Sequence, residues 1–421
     1  MRFLRVLSAL VIVCGLFTGP LWAQDKLTSE SIRLAALALP SGQPADWRQW
    51  DSFLSHVVKV LAQDFTADQK EQIADIFLDA RYQLARALTS GSPDPVPGLL
   101  IDAWAQLSPL LKQVVSGLPQ QTASQISNFV AAMDGVSSLS GISQQLGLAG
   151  IPADALREAA RLLGTTADPL TYALDVDGGL RALFGFTATL PAPKTSPLLE
   201  QGRLPQSPMK KASAPWRFFF GAGPAHAAQR DYSRLNEWVP DNSELQGYLE
   251  QVRDLLGETH TKVLQNSKLA PQYHVLYKGI MLATAWQESC WRQFVKKGKK
   301  LAPLSSVTGD LGLMQVNRHV WRGLYDVKGL SGDIEYNGHA GAEILMRYLS
   351  RYALRKNEHK QPGGHLARAT YAAYNGGPSH LARYRAEKQI SQLKQIDEDF
   401  WRKYQAVTSG QELAVKSCYG L

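Results

Sequence analysis

Residues 283–291 read ATAWQESCW, an apolar run that ends in a carboxylate, a hydroxyl and a thiol: Glu288, Ser289 and Cys290. Apolar positions at helical steps over 273–287 (Val275, Leu276, Ile280, Leu282, Ala283, Trp286) predict a helix that buries one face and delivers Glu288 at its last turn. The negative end of the helix dipole and the apolar neighbours Trp286 and Trp291 both disfavour an ionised carboxyl there. A carboxyl held protonated near neutrality is what a glycosidic general acid requires. The alternative reading is an ordinary solvated helix charge.

Two further stretches bear on that choice. Thr308-Gly309-Asp310-Leu311-Gly312-Leu313-Met314-Gln315-Val316-Asn317 follows the acid, and Tyr371-Ala372-Ala373-Tyr374-Asn375-Gly376-Gly377-Pro378 comes later. Glu-Ser, then Gly-Leu-Met-Gln, then Ala-Tyr-Asn-Gly-Gly-Pro, in that order over residues 243–385, resembles the catalytic domain of the lytic transglycosylases. These are lysozyme-like enzymes that cut bacterial peptidoglycan. The resemblance implies a lysozyme-like C-terminal domain with Glu288 as the single catalytic acid and Ser289 orienting acid and substrate. It implies a sugar cleft lined by Met314 and Gln315, with Tyr374 and Asn375 on the opposite wall and the Tyr374 hydroxyl near the acid. Asn337 lies where the family has an Asn before its next long helix. Each has a plainer alternative: Met314 as core, Asn337 as a helix cap, Gly312 and Gly376 as turn formers.

In this family the acid protonates the oxygen between N-acetylmuramic acid and N-acetylglucosamine. The same residue then takes the proton of the muramyl 6-hydroxyl, leaving a 1,6-anhydro ring. Asp310 departs from the commonest family pattern, which has a small or apolar residue two before the glycine. A retaining glycosidase needs a second carboxylate about 5–5.5 Å from the first, so Asp310 is a candidate second catalytic carboxylate. Its alternative is a loop Asp that caps backbone amides. A hydrolytic muramidase using Glu288 and Asp310, and a non-catalytic peptidoglycan-binding scaffold, therefore stand beside the lyase.

With 45% hydrophobic and 19% charged residues, the 421-residue chain has material for two or three cores. Arg2 and Arg5 precede an apolar stretch, Val6 to Phe17, running into Pro20-Leu21-Trp22-Ala23. This reads as a signal peptide over 1–23 and places the mature protein in the periplasm. Residues 1–23 hold two Arg and no acid, so cleavage takes the formal charge from +8 to +6. That excess favours acidic partners such as cell-wall polymers or anionic lipid surfaces. Cys14 falls in the leader, leaving Cys290 and Cys418 as a candidate disulfide in an oxidising compartment.

Residues 28–185 carry helical punctuation and helical apolar spacing, as at Ile73, Ile76, Phe77, Ala80, Leu84 and Leu88, and read as an all-helical N-terminal domain. It fits a docking role toward a cell-envelope or secretion assembly. Residues 186–240 read as a Pro-rich linker, with an aromatic cluster, Trp216-Arg217-Phe218-Phe219-Phe220, suited to docking on a flanking domain, a partner or a membrane interface. Residues 241–421 carry the chemistry, and the whole chain is expected to be mostly α. Lys296-Lys297-Gly298-Lys299-Lys300 reads as a solvated loop, with attraction to acidic stem peptides or weak membrane-surface contact as the alternative. No nucleic-acid module is recognisable. His319, His339, His359, His365 and His380 show no zinc-site spacing, so neither metal nor cofactor is expected.

Overall fold

The computed structural model describes residues 43–91, 94–146, 150–165, 167–186, 190–196, 199, 231–361 and 363–420. The leader at 1–23, the start of the N-terminal domain and the aromatic cluster at 216–220 lie outside these. The chain divides into two compact units at Gly185/Phe186 and is mostly helical.

In the first unit, helices α1 (Trp47–Leu61), α2 (Ala67–Ser90), α3 (Val96–Val115) and α4 (Gln120–Leu146) pack successively, followed by α5 (Ala153–Arg161) and α6 (Gly178–Leu183). Their ends follow local chemistry. Asp46 and Thr66 each form a capping box with the Gln three residues on, and Gly91 ends α2 in the left-handed conformation. Ile73, Phe77, Ala80 and Leu84 are buried, so the helical stripe does face a core. Arg81 and Asp51 are buried together as an ion pair at 2.8 Å. No described helix is long and apolar enough to cross a membrane.

The second unit contains α7 (Leu245–Gln265) and α8 (His274–Ser289), then two small hairpins. Strands β1 (Phe294–Lys297) and β2 (Lys300–Pro303) pair antiparallel, as do β3 (Asp310–Leu311) and β4 (Val316–Asn317). Helices α9 (Val327–Gly332), α10 (Ile334–Arg347), α11 (His365–Gly376) and α12 (Ser391–Thr408) follow, and a 3-10 segment spans Glu412–Tyr419. α8 is the central element, packing against α7, α10, α11 and α12. Tyr277, Ile280, Met281, Ala283 and Ala285 are buried along it. Val275, expected on the buried face, is 79% exposed instead, because the stripe runs through Tyr277 and Met281. The lysine run is exposed, as a solvated segment would be, and forms the end of the β1–β2 hairpin.

Much of the expected linker is part of this second unit where it is described. The Lys194 amide donates to Asp333 Oδ2 at 2.6 Å. Asn236, which is buried, donates to the Lys194 carbonyl at 2.8 Å and accepts from the Ile334 amide at 2.8 Å. The Pro-rich composition suggested a solvated tether, but these residues fasten the first turn of α10 through bonds between side chains and backbone that composition does not reveal.

Candidate active site

Glu288 stands on the last turn of α8. The helix stops because Cys290 and Trp291 both turn left-handed, with φ of 54° and 62°. That conformation is unfavourable for residues with a side chain. Tertiary contacts offset it: the Trp291 indole is fully buried and donates to the Leu282 carbonyl at 3.1 Å, while Tyr248 donates to the Trp291 carbonyl at 2.8 Å. Cys290 is bonded to Cys418, with Cα atoms 6.1 Å apart.

The Glu288 carboxyl is half-buried. It accepts the Tyr371 hydroxyl at 2.8 Å and a hydrogen bond from the Asn375 side chain. Burial pushes its pKa up to about 7. The negative charge of Asp310 pushes in the same direction, while Tyr371, Asn375 and the Lys403 cation pull the other way. Near neutrality both forms are therefore populated. The direction matches the sequence expectation, and removal from water, the effect that the apolar neighbours Trp286 and Trp291 suggested, is the leading cause.

The turn 311–315 is held by four buried side chains. Gly312 adopts φ +69°, and a Cβ there would lie 2.3 Å from the Gln293 amide oxygen and 2.6 Å from Asn337 Nδ2, so only glycine fits. Gln293 Oε1 accepts the Leu313 amide at 2.7 Å. Asn337 Oδ1 accepts the Met314 amide at 2.8 Å, and its Nδ2 donates to the carbonyls of Leu311 (2.7 Å) and Leu330 (2.8 Å). Ser289 donates to the Leu313 carbonyl at 2.5 Å, and Tyr374 to the Met314 carbonyl at 2.6 Å.

This pattern corrects several sequence expectations. Ser289, Asn337 and Tyr374, expected to contact substrate, are buried and direct their polar atoms at backbone. They hold the turn from its buried side. Met314 is fully buried against Gly341, where a Cβ would meet its side chain at 2.4 Å, and belongs to the core. The tyrosine at the acid is Tyr371, one helical turn before Tyr374 on α11. Both tyrosines sit in the quoted Tyr-Ala-Ala-Tyr stretch, and the i, i+3 spacing on one face was the available signal. Gln293 and Lys403 carried no sequence signal. Gln315, half-buried at φ 49°, remains on the accessible side of the turn, its amide donating to the Gly312 carbonyl at 2.7 Å.

Asp310 opens β3. Its Oδ2 accepts from Ser306 at 2.5 Å and from Thr308, and its Oδ1 accepts from Asn317 Nδ2 at 2.8 Å. The carboxylate organises its own loop while its charge is felt at Glu288. Among the described residues, no cluster of three or more His, Cys, Asp or Glu is placed to hold a metal ion.

Residues 266–396 match the family model of the transglycosylase SLT domain. No curated protein and no solved structure matches the chain. The SLT domain is lysozyme-like, lies toward the C-terminus, and supports a transglycosylase-type function with peptidoglycan as substrate. Its span takes in Glu288, Asp310, the 311–315 turn, Asn337 and α11, and ends before most of α12.

Proposed function

We propose that the protein is an exported lytic transglycosylase that cleaves the β-1,4 bond between N-acetylmuramic acid and N-acetylglucosamine and leaves 1,6-anhydro-muramyl ends. The observation that carries this reading is one half-buried carboxyl, raised to about 7, that is hydrogen-bonded by Tyr371 and Asn375. Protonated Glu288 gives its proton to the glycosidic oxygen as the bond from the muramyl C1 breaks. The carboxylate left behind is met by the Tyr371 hydroxyl, the Asn375 amide and the Lys403 charge. It then accepts the proton of the muramyl 6-hydroxyl as O6 bonds to C1, which restores the acid and uses no water. Gln315 is the polar group best placed on the turn to hold a sugar.

A muramidase reading, with Asp310 meeting the cationic transition state, draws on the charge of Asp310 acting at Glu288. Against it, both Asp310 oxygens already accept hydrogen bonds from the loop. Digestion of purified sacculi followed by mass spectrometry separates the two readings. Anhydro ends that disappear in Glu288→Gln are the expected result, whereas reducing ends would establish the hydrolase. Release of no soluble fragment would leave a binding scaffold.

Export to the periplasm belongs to the same proposal, supported by the leader pattern at 1–23 and by a disulfide suited to an oxidising compartment. All the site residues described come from the second unit. For the helical first unit we propose docking to a cell-envelope or secretion assembly.

A further inference from the structure

The family match ends at residue 396, yet the residues that follow reach the surroundings of Glu288 at three points. On α12, Lys403 Nζ donates to Gln287 Oε1 at 2.6 Å, gripping the residue just before the acid. One turn earlier, Phe400 is fully buried and lies flat on the Tyr371 ring, with centroids 4.0 Å apart and planes 3° from parallel. That ring carries the hydroxyl bonded to Glu288. Beyond α12, Cys418 is bonded to Cys290, the Tyr419 hydroxyl donates to the Cys290 carbonyl at 3.0 Å, and Arg292 lies over the Tyr419 ring at 4.6 Å.

We propose that Lys403 is a positioning residue for Glu288 and that residues 397–419 form a brace completing the active site of the SLT domain. The inference rests on the transglycosylase reading above. Its physical basis is the placement of the ammonium group. Half-buried, Lys403 loses hydration, and the acceptor it holds at Gln287 is a neutral amide. A carboxylate at Glu288 supplies an opposite charge, beside that of Asp399 on its own helix, and that carboxylate must form between the two proton transfers. Lys403 therefore favours the ionised intermediate over the resting acid. The other groups acting on Glu288 are Tyr371 and Asn375 of α11 and Asp310 of β3. Asp399 and Arg402 act on Lys403 from its own helix, and Arg383 and Asp397 act on Tyr371.

The test compares full-length mature wild type, Lys403→Met and Lys403→Arg, following the pH dependence of kcat on purified sacculi. Loss of the cation leaves Glu288 protonated to higher pH. In Lys403→Met the alkaline limb of the profile should move up by about half a pH unit, with kcat lowered roughly threefold, the factor that half a pKa unit corresponds to. Lys403→Arg should hold the limb near its wild-type position. A limb unmoved in Lys403→Met, whether kcat is unchanged or lowered equally at every pH, overturns the proposal and leaves a structural tether. Titration of the Glu288 carboxyl by 13C NMR, identified by its loss in Glu288→Gln, gives the same readout without turnover. It decides the question even if wild type releases no fragments, the result that would instead defeat the transglycosylase reading. Should Lys403→Met fail to fold, Lys403→Gln takes its place in both measurements.

Discussion

Glu288 is held in a state that favours its neutral form, and this has a consequence for stability as well as chemistry. Its pKa of about 7 in the folded protein lies above the ordinary 4.5. Between those values the folded chain binds more protons than the unfolded chain, so stability contributed by this group is complete below pH 4.5 and declines as pH rises to 7. Glu288→Gln, a neutral near-isostere able to accept from Tyr371, escapes that decline. It should match wild type near pH 4.5 and exceed it at pH 8 by up to about 3 kcal/mol, the product of the shift and the energy of one pKa unit. Urea denaturation at the two pH values measures this. A difference that did not depend on pH would mean that the burial of charge is not what raises the group. The substitution would then trade activity for stability at a single residue.

The turn 311–315 works as an element because its backbone polar groups are tied from several directions. Asn337 alone accepts from one amide and donates to two carbonyls while fully buried. Replacing it with leucine keeps the volume and leaves the Met314 amide and the Leu311 carbonyl unmatched, while the Leu330 carbonyl keeps its bond from Gln293 Nε2 at 3.0 Å. Unsatisfied buried polar groups are destabilising by about 1–3 kcal/mol each. Asn337→Leu should therefore lower stability by about 2 kcal/mol or more and cut activity mainly through kcat, as the turn loses its shape. If Asn337 instead touched sugar, stability would hold and KM would rise. Denaturant midpoints and steady-state kinetics on the same preparation distinguish these outcomes. The same reasoning applies to the end of α8, where two left-handed residues are retained because the Trp291 indole and the Cys290 carbonyl are both engaged.

Across the second unit, the Cys290–Cys418 bridge spans 128 residues and closes a loop containing nearly all of the site. On a chain-entropy account, closing a loop of that length contributes roughly 4–5 kcal/mol. Reduction with a dithiol should lower the thermal midpoint of the second unit by about 10 °C, taking 2–4 °C per kcal/mol for a domain of this size. Scanning calorimetry with and without the reductant provides the check, alongside thiol labelling of the unreduced mature protein, which should find neither cysteine free. Two labelled thiols would remove the bridge and, with it, the covalent part of the brace behind Glu288.

Short-range patterns settled much of this protein. Apolar spacing marked α2 and α8, because periodicity acts along one face of a single helix, and the ends follow capping residues such as Thr66 that act within one turn of the chain. The order of Glu288-Ser289, Gly312–Gln315 and Tyr374-Asn375 pointed to the site for a related reason: a glycine at positive φ and an acid at a helix end are local requirements. Which polar side chains hold the turn and which stay accessible was not legible. Ser289, Asn337 and Tyr374 are of types that bind sugars equally well, and only their burial against the 311–315 backbone turned them into framework. Tyr371 and Tyr374 differ by one helical turn, and the packing of α11 on α8 decided which hydroxyl meets the acid. Lys403, 116 residues from its partner Gln287, acquires its relation to Glu288 only when α12 closes against α8, because an electrostatic field depends on distance in space and not on distance along the chain.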